Sequence, residues 1–512
     1  MLVKAFGGAV FGIDALVITV EVNTAPGAKF YMVGLPDNAV KESQQRVEAA
    51  LRNNGFKVPG QRITVNLAPA DIRKEGSSYD LPIAIGILAA SEQIRPSFLD
   101  KYLILGELSL DGSIQPIRGA LPVAFRARAE GFEGLIVPEV NAREAAVVQE
   151  IKVYGIRTLR QAIEILEGHS RLSPVQVAPE ELLNHAPSEG EPDFADVRGQ
   201  ENIKRALEIA AAGGHNVILV GPPGAGKTML ARRLPGILPP LTLEEAIETT
   251  MIHSVAGKLS PSETLITRRP FRSPHHTISD VALVGGGSFP RPGEISLAHN
   301  GVLFLDELPE FKRQVLEVLR QPMEDRVVTI SRSRFTVEFP ASFMLVASMN
   351  PCPCGNFNHP EKECTCPPGT VAKYLNRISG PLLDRIDLHV EVTPVPFNRL
   401  SEGRAPESSA TIRQRVVRAR QRQAERFRSI PNVFCNAQMN TRLLREVCRI
   451  PPEAQNLLRQ AMERLGLSAR AYDRILKVAR TVADLDNSPE ILTHHVAEAI
   501  QYRTLDRELW RR

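Results

Sequence analysis

The sequence predicts an α/β protein in which a parallel-sheet core lies between an amino-terminal α/β domain and a carboxyl-terminal helical one. Three observations predict it. The apolar run from Val217 to Val220 passes directly into GPPGAGKT and then into the helix-forming MLARRL. A second apolar run about eighty residues later, Val302 to Leu305, ends in Asp306 and Glu307. From Thr411 onward, apolar residues recur at helical spacing through five successive segments. At 512 residues the chain exceeds what one hydrophobic core organises, since cores stop growing near ~250 to 300 residues.

Bulk composition excludes some classes and leaves others open. Hydrophobic content of 43% with 23% charged residues belongs to an ordinary globular chain and excludes a disordered or fibrous one. A net charge of +4 is too small to dictate nucleic-acid binding, although clusters such as Arg413 to Arg428 permit basic faces. No apolar stretch reaches the ~18 residues that span a bilayer. The opening MLVKAFGGAVFGIDALVITVEV is broken by Gly and Asp and lacks a small-residue cleavage site, so the expectation is a cytoplasmic protein without membrane contact.

Residues 1 to 168 alternate strand-like runs (ALVITVEV, RITVNLAP, YLILGELSL, GLIVPE) with helical ones (NAVKESQQRVEAALRNNG, LPIAIGILAASEQ, GALPVAFRARAEG), which makes an α/β domain. Its segment Lys74-Glu75-Gly76-Ser77-Ser78 resembles the nucleophile region of Lon-type (S5-type) protease domains, with Ser78 at the nucleophile position. The resemblance implies an activating lysine further on, where this chain has Leu121. A serine without a base is a poor nucleophile, so the expectation is a Lon-like fold without peptidase activity. Residues 169 to 193 are rich in Pro, Ser and Glu and read as an interdomain linker.

Residues 194 to 400 carry the phosphate chemistry. GPPGAGKT fits G-x-x-x-x-G-K-[ST], so Gly221, Pro222, Pro223, Gly224, Ala225 and Gly226 would form a turn whose N–H groups converge on phosphate oxygens of ATP. Lys227 would reach the β/γ-phosphates and Thr228 would ligate Mg²⁺. The strand GVLFL before Asp306 and Glu307 reads as the acidic partner of that loop: Asp306 holds Mg²⁺ and Glu307 orients and deprotonates the attacking water. A third strand, Phe343 to Met349, ends in Asn350, at the sheet edge where ligands bind in such folds, so Asn350 is a candidate for positioning that water.

Two insertions enlarge this core. Phe271 to Glu294, rich in Gly and Pro, reads as loops, with His275 and His276 as polar interface residues. RVVTISRSRFTVEF alternates apolar and polar residues and reads as a β-hairpin with Arg332 and Arg334 near its tip. Directly after Asn350, Cys352, Cys354, Cys364 and Cys366 form two C-x-C pairs nine residues apart, suited to one tetrahedral Zn²⁺ with structural purpose, with His359 as a substitute ligand and redox-linked thiols as the alternative. Cys435 and Cys448 stand apart. Residues 401 to 512 read as a helical lid, in which Arg470 and Arg474 share one helix face.

With Leu382-Leu383-Asp384-Arg385-Ile386-Asp387 in place, the core resembles the AAA+ ATPases of the magnesium-chelatase-like family. This segment is similar to the arginine-finger segment of the chelatase ATPase subunit and of minichromosome-maintenance helicases. The resemblance implies that Arg385 acts on a neighbour's ATP, hence a homo-oligomer, in that family a hexameric ring. It implies a sensor-2 arginine at Arg470, with Arg474 as fallback, drawn from the same subunit as the P-loop. It also implies that both insertions face the ring channel, with Arg332 and Arg334 gripping DNA phosphates. A Lon-like domain, chelatase-type core and lid in that order imply a DNA motor promoting branch migration in recombination and natural transformation, with recombination proteins as partners. The alternative is a chelatase-type ATPase that remodels a protein partner. An ATP-dependent protease fails at Leu121.

Overall fold

The computed structural model describes residues 1–183, 192–287, 290–332, 335–357, 361–394 and 406–505. It is a mixed α/β molecule with two large sheets. The amino-terminal sheet has seven strands in the order Phe30–Val33, Arg62–Ala68, Asp14–Ala25, Leu2–Phe11, Tyr102–Ile104, Gly134–Pro138, Lys152–Ile156. Leu2–Phe11 and Asp14–Ala25 pair antiparallel through a turn at Gly12, whose φ of +67° suits glycine. The periodicity did not reveal Leu2–Phe11 as a strand, because Gly7 and Gly8 interrupt its apolar pattern. Gly8 is there for packing: a Cβ would lie 2.6 Å from Val123, so its absence lets helix Ala120–Ala129 lie flush on the sheet. Helix Asp80–Ala90 is buried along its whole length and fills the core between the sheet and helix Asn38–Asn53.

The expected linker is held down along its first half. Val175 bridges Val153, Gln149 donates to the Val177 carbonyl at 3.0 Å, and helix Pro179–Leu183 follows. Four apolar residues, Val175, Val177, Leu182 and Leu183, do this without forming a periodic pattern.

The second sheet is parallel, in the order Phe271–Arg272, Val302–Leu305, Met344–Met349, Val217–Val220, Leu388–Glu391. Phe271–Arg272 corrects the reading of that stretch as loops: it is an edge strand too short to show a period, with Phe271 stacked on Phe304 at 5.8 Å. All the interior strands are fully buried apolar runs, as a sheet covered on both faces requires. The predicted hairpin is present as Val327–Arg332 against Phe335–Pro340.

The helical region comprises Ser409–Phe427, Thr441–Val447, Pro452–Leu465, Ala469–Leu485 and Thr493–Gln501. It shares one hydrophobic cluster with helix Glu201–Gly213 and one face of the parallel sheet. The amino-terminal domain meets the core at helix Leu243–Ala256. Leu121, Leu135 and Ala142 there form one cluster with Leu241, Ala246 and Leu265 of the core. Glu144 is buried at this seam, where it accepts from the Leu121 N–H at 3.1 Å, from Asn141 and from the Ser254 hydroxyl of the core. Burial holds its carboxyl above the ordinary range against those donors.

Candidate active site

The P-loop leaves strand Val217–Val220 at the carboxyl edge of the sheet. Gly221 is required by contact, since a Cβ would lie 2.1 Å from the Val392 carbonyl oxygen. Gly224 and Gly226 are required by conformation, at φ +77° and +87°. Helix Lys227–Arg233 then begins, continued by a 3₁₀ turn over Leu234–Ile237. Lys227 folds back over the loop. Its Nζ donates to the Gly221 carbonyl at 2.7 Å, the Pro222 carbonyl at 2.9 Å and Asn350 Oδ1 at 3.0 Å. Burial lowers its pKa, opposed by Asp306 and Glu307. These are weakly held neutral acceptors, which phosphate oxygens replace with charge-assisted bonds.

Strand Met344–Met349 separates the P-loop strand from Val302–Leu305, and it contributes to both sides. Asn350 at its end touches Lys227, and Ser348 donates to Asp306 Oδ1. Thr228 Oγ1 donates to Asp306 Oδ2 at 2.7 Å. A hydroxyl and a carboxylate in contact at a phosphate-binding turn are the donor set expected for Mg²⁺, a hard cation that takes one or two protein oxygens beside phosphate. Glu307 has φ +55°, a left-handed conformation that costs a non-glycine residue about 1 to 3 kcal/mol. Its side chain is 60% exposed, free of the ladder that fixes Asp306.

Sequence reasoning missed one neighbour of this site, Ser348, and read another, His276, only as a polar interface residue. Its Nδ1 lies 3.8 Å from Glu307 Oε2 and its ring packs on His275 and edge-on to Phe311. That a loop residue reaches across from an insertion to this carboxylate has no local signal.

Arg385 lies at the other edge of the sheet. Asn216, which precedes the P-loop strand, donates through Nδ2 to the Arg385 carbonyl at 3.2 Å and through its backbone to Asp387 at 2.9 Å. At about 3.3 Å per residue, the strand places the P-loop roughly 15 Å away. The Arg385 guanidinium is buried, paired with Glu324 Oε1 at 2.7 Å and donating to the Pro381 carbonyl, and its Nε has no hydrogen-bond partner among the described residues. Asp387 instead takes Arg474 at 3.0 Å, with His215 at 3.6 Å. Burial alone would raise the Asp387 pKa, but Arg474, His215 and the Asn216 N–H outweigh it and hold the carboxyl well below the carboxylate range.

In the lid, Arg474 is committed to Asp387, and Arg470 is exposed one helical turn earlier on the same helix. Arg332 ends strand Val327–Arg332, while Arg334 and His359 lie outside the described residues.

The four cysteines converge. Cys352 Sγ lies 3.3 Å from Cys354 Sγ and 3.8 Å from Cys364 Sγ, Cys354 and Cys364 are 3.6 Å apart, and all four ligand atoms fall within 4.8 Å of one another. None forms a disulfide. Cys435 and Cys448 are buried and outside this group. Among the described residues no helix is long and apolar enough to cross a membrane.

A phosphate cradle, a Thr–Asp pair and a strained glutamate at the carboxyl edge of a parallel sheet, with a helical lid beyond, define an ATPase core of the AAA+ class. Residues 193–400 match the family described as magnesium chelatase, subunit ChlI; residues 20–141 match subunit ChlI of Mg-chelatase, and residues 406–503 the ChlI carboxyl-terminal region. The chain is 45% identical to competence protein ComM of Haemophilus influenzae over 99% of this chain and 98% of that protein. It is 46% identical to YifB of Escherichia coli over 98% and 97%. Its amino-terminal region is similar to Lon proteases, as in 28% identity to the archaeal Lon protease of Thermococcus kodakarensis over 31% of this chain. The chain belongs to the magnesium-chelatase-like AAA+ family, in the ComM/YifB group.

Proposed function

We propose that the chain is an ATP-hydrolysing ring motor acting on DNA, a helicase that promotes branch migration in recombination and natural transformation. The observation that carries the ring is the split of one reaction's residues between two sheet edges. Lys227, Thr228, Asp306, Glu307 and Asn350 serve one edge, while Arg385 sits some 15 Å off at the other, too far to serve its own P-loop. Only a neighbouring chain brings the two together. Arg385 then exchanges Glu324 for the neighbour's γ-phosphate and acts in trans in a homo-oligomer, hexameric by analogy with its family, while Arg470 serves as the sensor-2 arginine of the subunit that supplies the P-loop.

Within each site, Gly221, Pro222, Pro223, Gly224, Ala225 and Gly226 wrap the phosphates of ATP, and Lys227 moves from its carbonyl partners to the β/γ-oxygens. Thr228 and Asp306 would hold Mg²⁺, which would supply positive charge to neutralise the transferred phosphoryl group. Glu307 orients a water in line with the γ-phosphate and takes its proton, with Asn350 fixing the water's position. The division of labour follows the domains: a Lon-like 1–168, a connector 169–193, the motor 194–400 and the lid 401–512.

The DNA role is supported by the 45% identity, over almost the whole of both chains, to a protein named for competence, and by the hairpin that ends at Arg332. Recombination proteins are the corresponding partners and the cytoplasm the corresponding place. The match of three segments to chelatase ChlI supports a second reading, remodelling of a protein partner. ATP turnover measured with single-stranded, duplex and four-way-junction DNA, with Glu307→Gln as control, separates them. Stimulation by branched DNA is expected; turnover indifferent to every DNA, with no salt-sensitive binding, rules out the motor on DNA. Cys352, Cys354, Cys364 and Cys366 suit one structural Zn²⁺ per chain in the same reading.

A further inference from the structure

The cysteine cluster has the dimensions of a metal site. A tetrahedron with metal–sulfur distances of about 2.3 Å has sulfur–sulfur edges of about 3.8 Å. The recorded edges of 3.3, 3.6 and 3.8 Å bracket that value, and Cys366 closes the set within 4.8 Å. Disulfide sulfurs would sit at about 2.05 Å. Edges this short leave room for a single ion at the centre and none for a multi-iron cluster. Thiolate softness then selects zinc over Mg²⁺, which prefers oxygen. The Phe357 N–H donates to Cys352 Sγ at 3.3 Å, which stabilises a thiolate.

What the cluster is attached to matters more than the metal. Cys352 follows Asn350 by two residues and is fully buried. Gly355, at φ +82°, presses on the P-loop so closely that a Cβ would lie 2.4 Å from Pro223 Cδ. Phe357 packs into the cluster that contains Met349 and Tyr374. Tyr374 in turn hydrogen-bonds the Asn350 backbone, and its hydroxyl is pushed up to about 12, chiefly by burial. The stretch 361–369 that carries Cys364 and Cys366 has neither helix nor strand, and Cys364 Sγ reaches back to within 3.8 Å of Cys352 Sγ and 3.6 Å of Cys354 Sγ.

We infer that Cys352, Cys354, Cys364 and Cys366 bind one Zn²⁺ whose task is to clamp Asn350 and the Pro223 side of the P-loop, making nucleotide binding and turnover depend on zinc. The clamp rests on the reading of the P-loop as an ATP site, and it assigns the cysteine loop a role in that site. Loss of the ion frees the loop, and with it the Asn350 amide and the roof over the phosphates.

The test uses the full chain purified under reducing conditions. Zinc is counted by elemental analysis, released with a mercurial in the presence of a zinc indicator, and then restored after thiol exchange. Binding of a fluorescent ATP analogue with Mg²⁺ is measured in each state, with circular dichroism as a check on the fold. One zinc per chain is expected, with affinity at least tenfold lower after release, unchanged helical content, and recovery with Zn²⁺ but not with added Mg²⁺. Cys366→Ser, at a partly exposed position, should bind zinc weakly and show the same loss. A metal-free protein with four freely reacting thiols in this loop overturns the inference. So does a zinc-bearing protein whose nucleotide affinity is equal with and without the ion, which leaves the ATP site itself standing. No binding even by the zinc-loaded chain overturns the clamp and the ATP reading together.

Discussion

Glu307 stands in a left-handed conformation at the end of a buried strand, directly after an aspartate whose two oxygens are already engaged. Its carboxylate is thereby kept out of the Thr228–Asp306 pair and left to a water. Glu307→Gln keeps the shape and removes the base, so turnover should fall by about 10² or more while ATP affinity holds, read by steady-state phosphate release and nucleotide titration. Gly221→Ala has the opposite profile. Its Cβ would strike a backbone oxygen at 2.1 Å, a contact no rotamer relieves, and the melting temperature should drop by an amount equivalent to about 1 to 3 kcal/mol. At this scale the sequence was legible where a motif is contiguous: Gly221 to Thr228 and Asp306 with Glu307 stand where their patterns require. The contacts of Ser348 and His276 were illegible because they arise only when separate strands and an insertion are brought side by side.

At the scale of elements, helix Ala469–Leu485 joins the lid to the motor through charge as well as apolar contact. Arg474 meets Asp387 and Thr481 lies 2.7 Å from His215 of the motor, while within the lid Arg480 and Arg426 meet Asp484 and the buried Lys477 donates to the Ala437 carbonyl at 2.9 Å. Burial, reinforced by the Arg474 charge, pulls the Lys477 pKa down to about 8. In the unfolded chain it returns to about 10.4, so between those values the unfolded chain binds more protons and stability rises with pH. Denaturant titrations should show wild type gaining on Lys477→Met by about 2 kcal/mol from pH 8 to pH 10, and little change below pH 7. A difference that stays flat across that window would refute the assignment. The five carboxyl-terminal helices were plain in the sequence because each is long enough to show its period. Phe271–Arg272, at two residues, and Leu2–Phe11, interrupted by Gly7 and by the Gly8 that packing against Val123 requires, showed none.

For the whole molecule, the separation of Arg385 from its own P-loop predicts complementation. Arg385→Ala and Glu307→Gln should each be nearly inactive alone, yet mixing them should recover part of the wild-type turnover, because some interfaces then pair an intact Arg385 with an intact Glu307. Absence of recovery in subunits shown to exchange would argue that Arg385 acts elsewhere. Domain order was legible from the sequence, but the way the domains join was not, because the seam is made of residues that look like ordinary core. Leu121 is the instructive one. It holds the position where a Lon peptidase keeps its base, and here it is fully buried in the cluster that ties the amino-terminal domain to Leu241, Ala246 and Leu265. A Leu121→Lys exchange should therefore yield a less stable protein, seen as a lower melting temperature, rather than a peptidase. A position sealed into the joint between two domains is closed to any substrate for as long as the joint holds, so whatever reaches Leu121 must first part the domains.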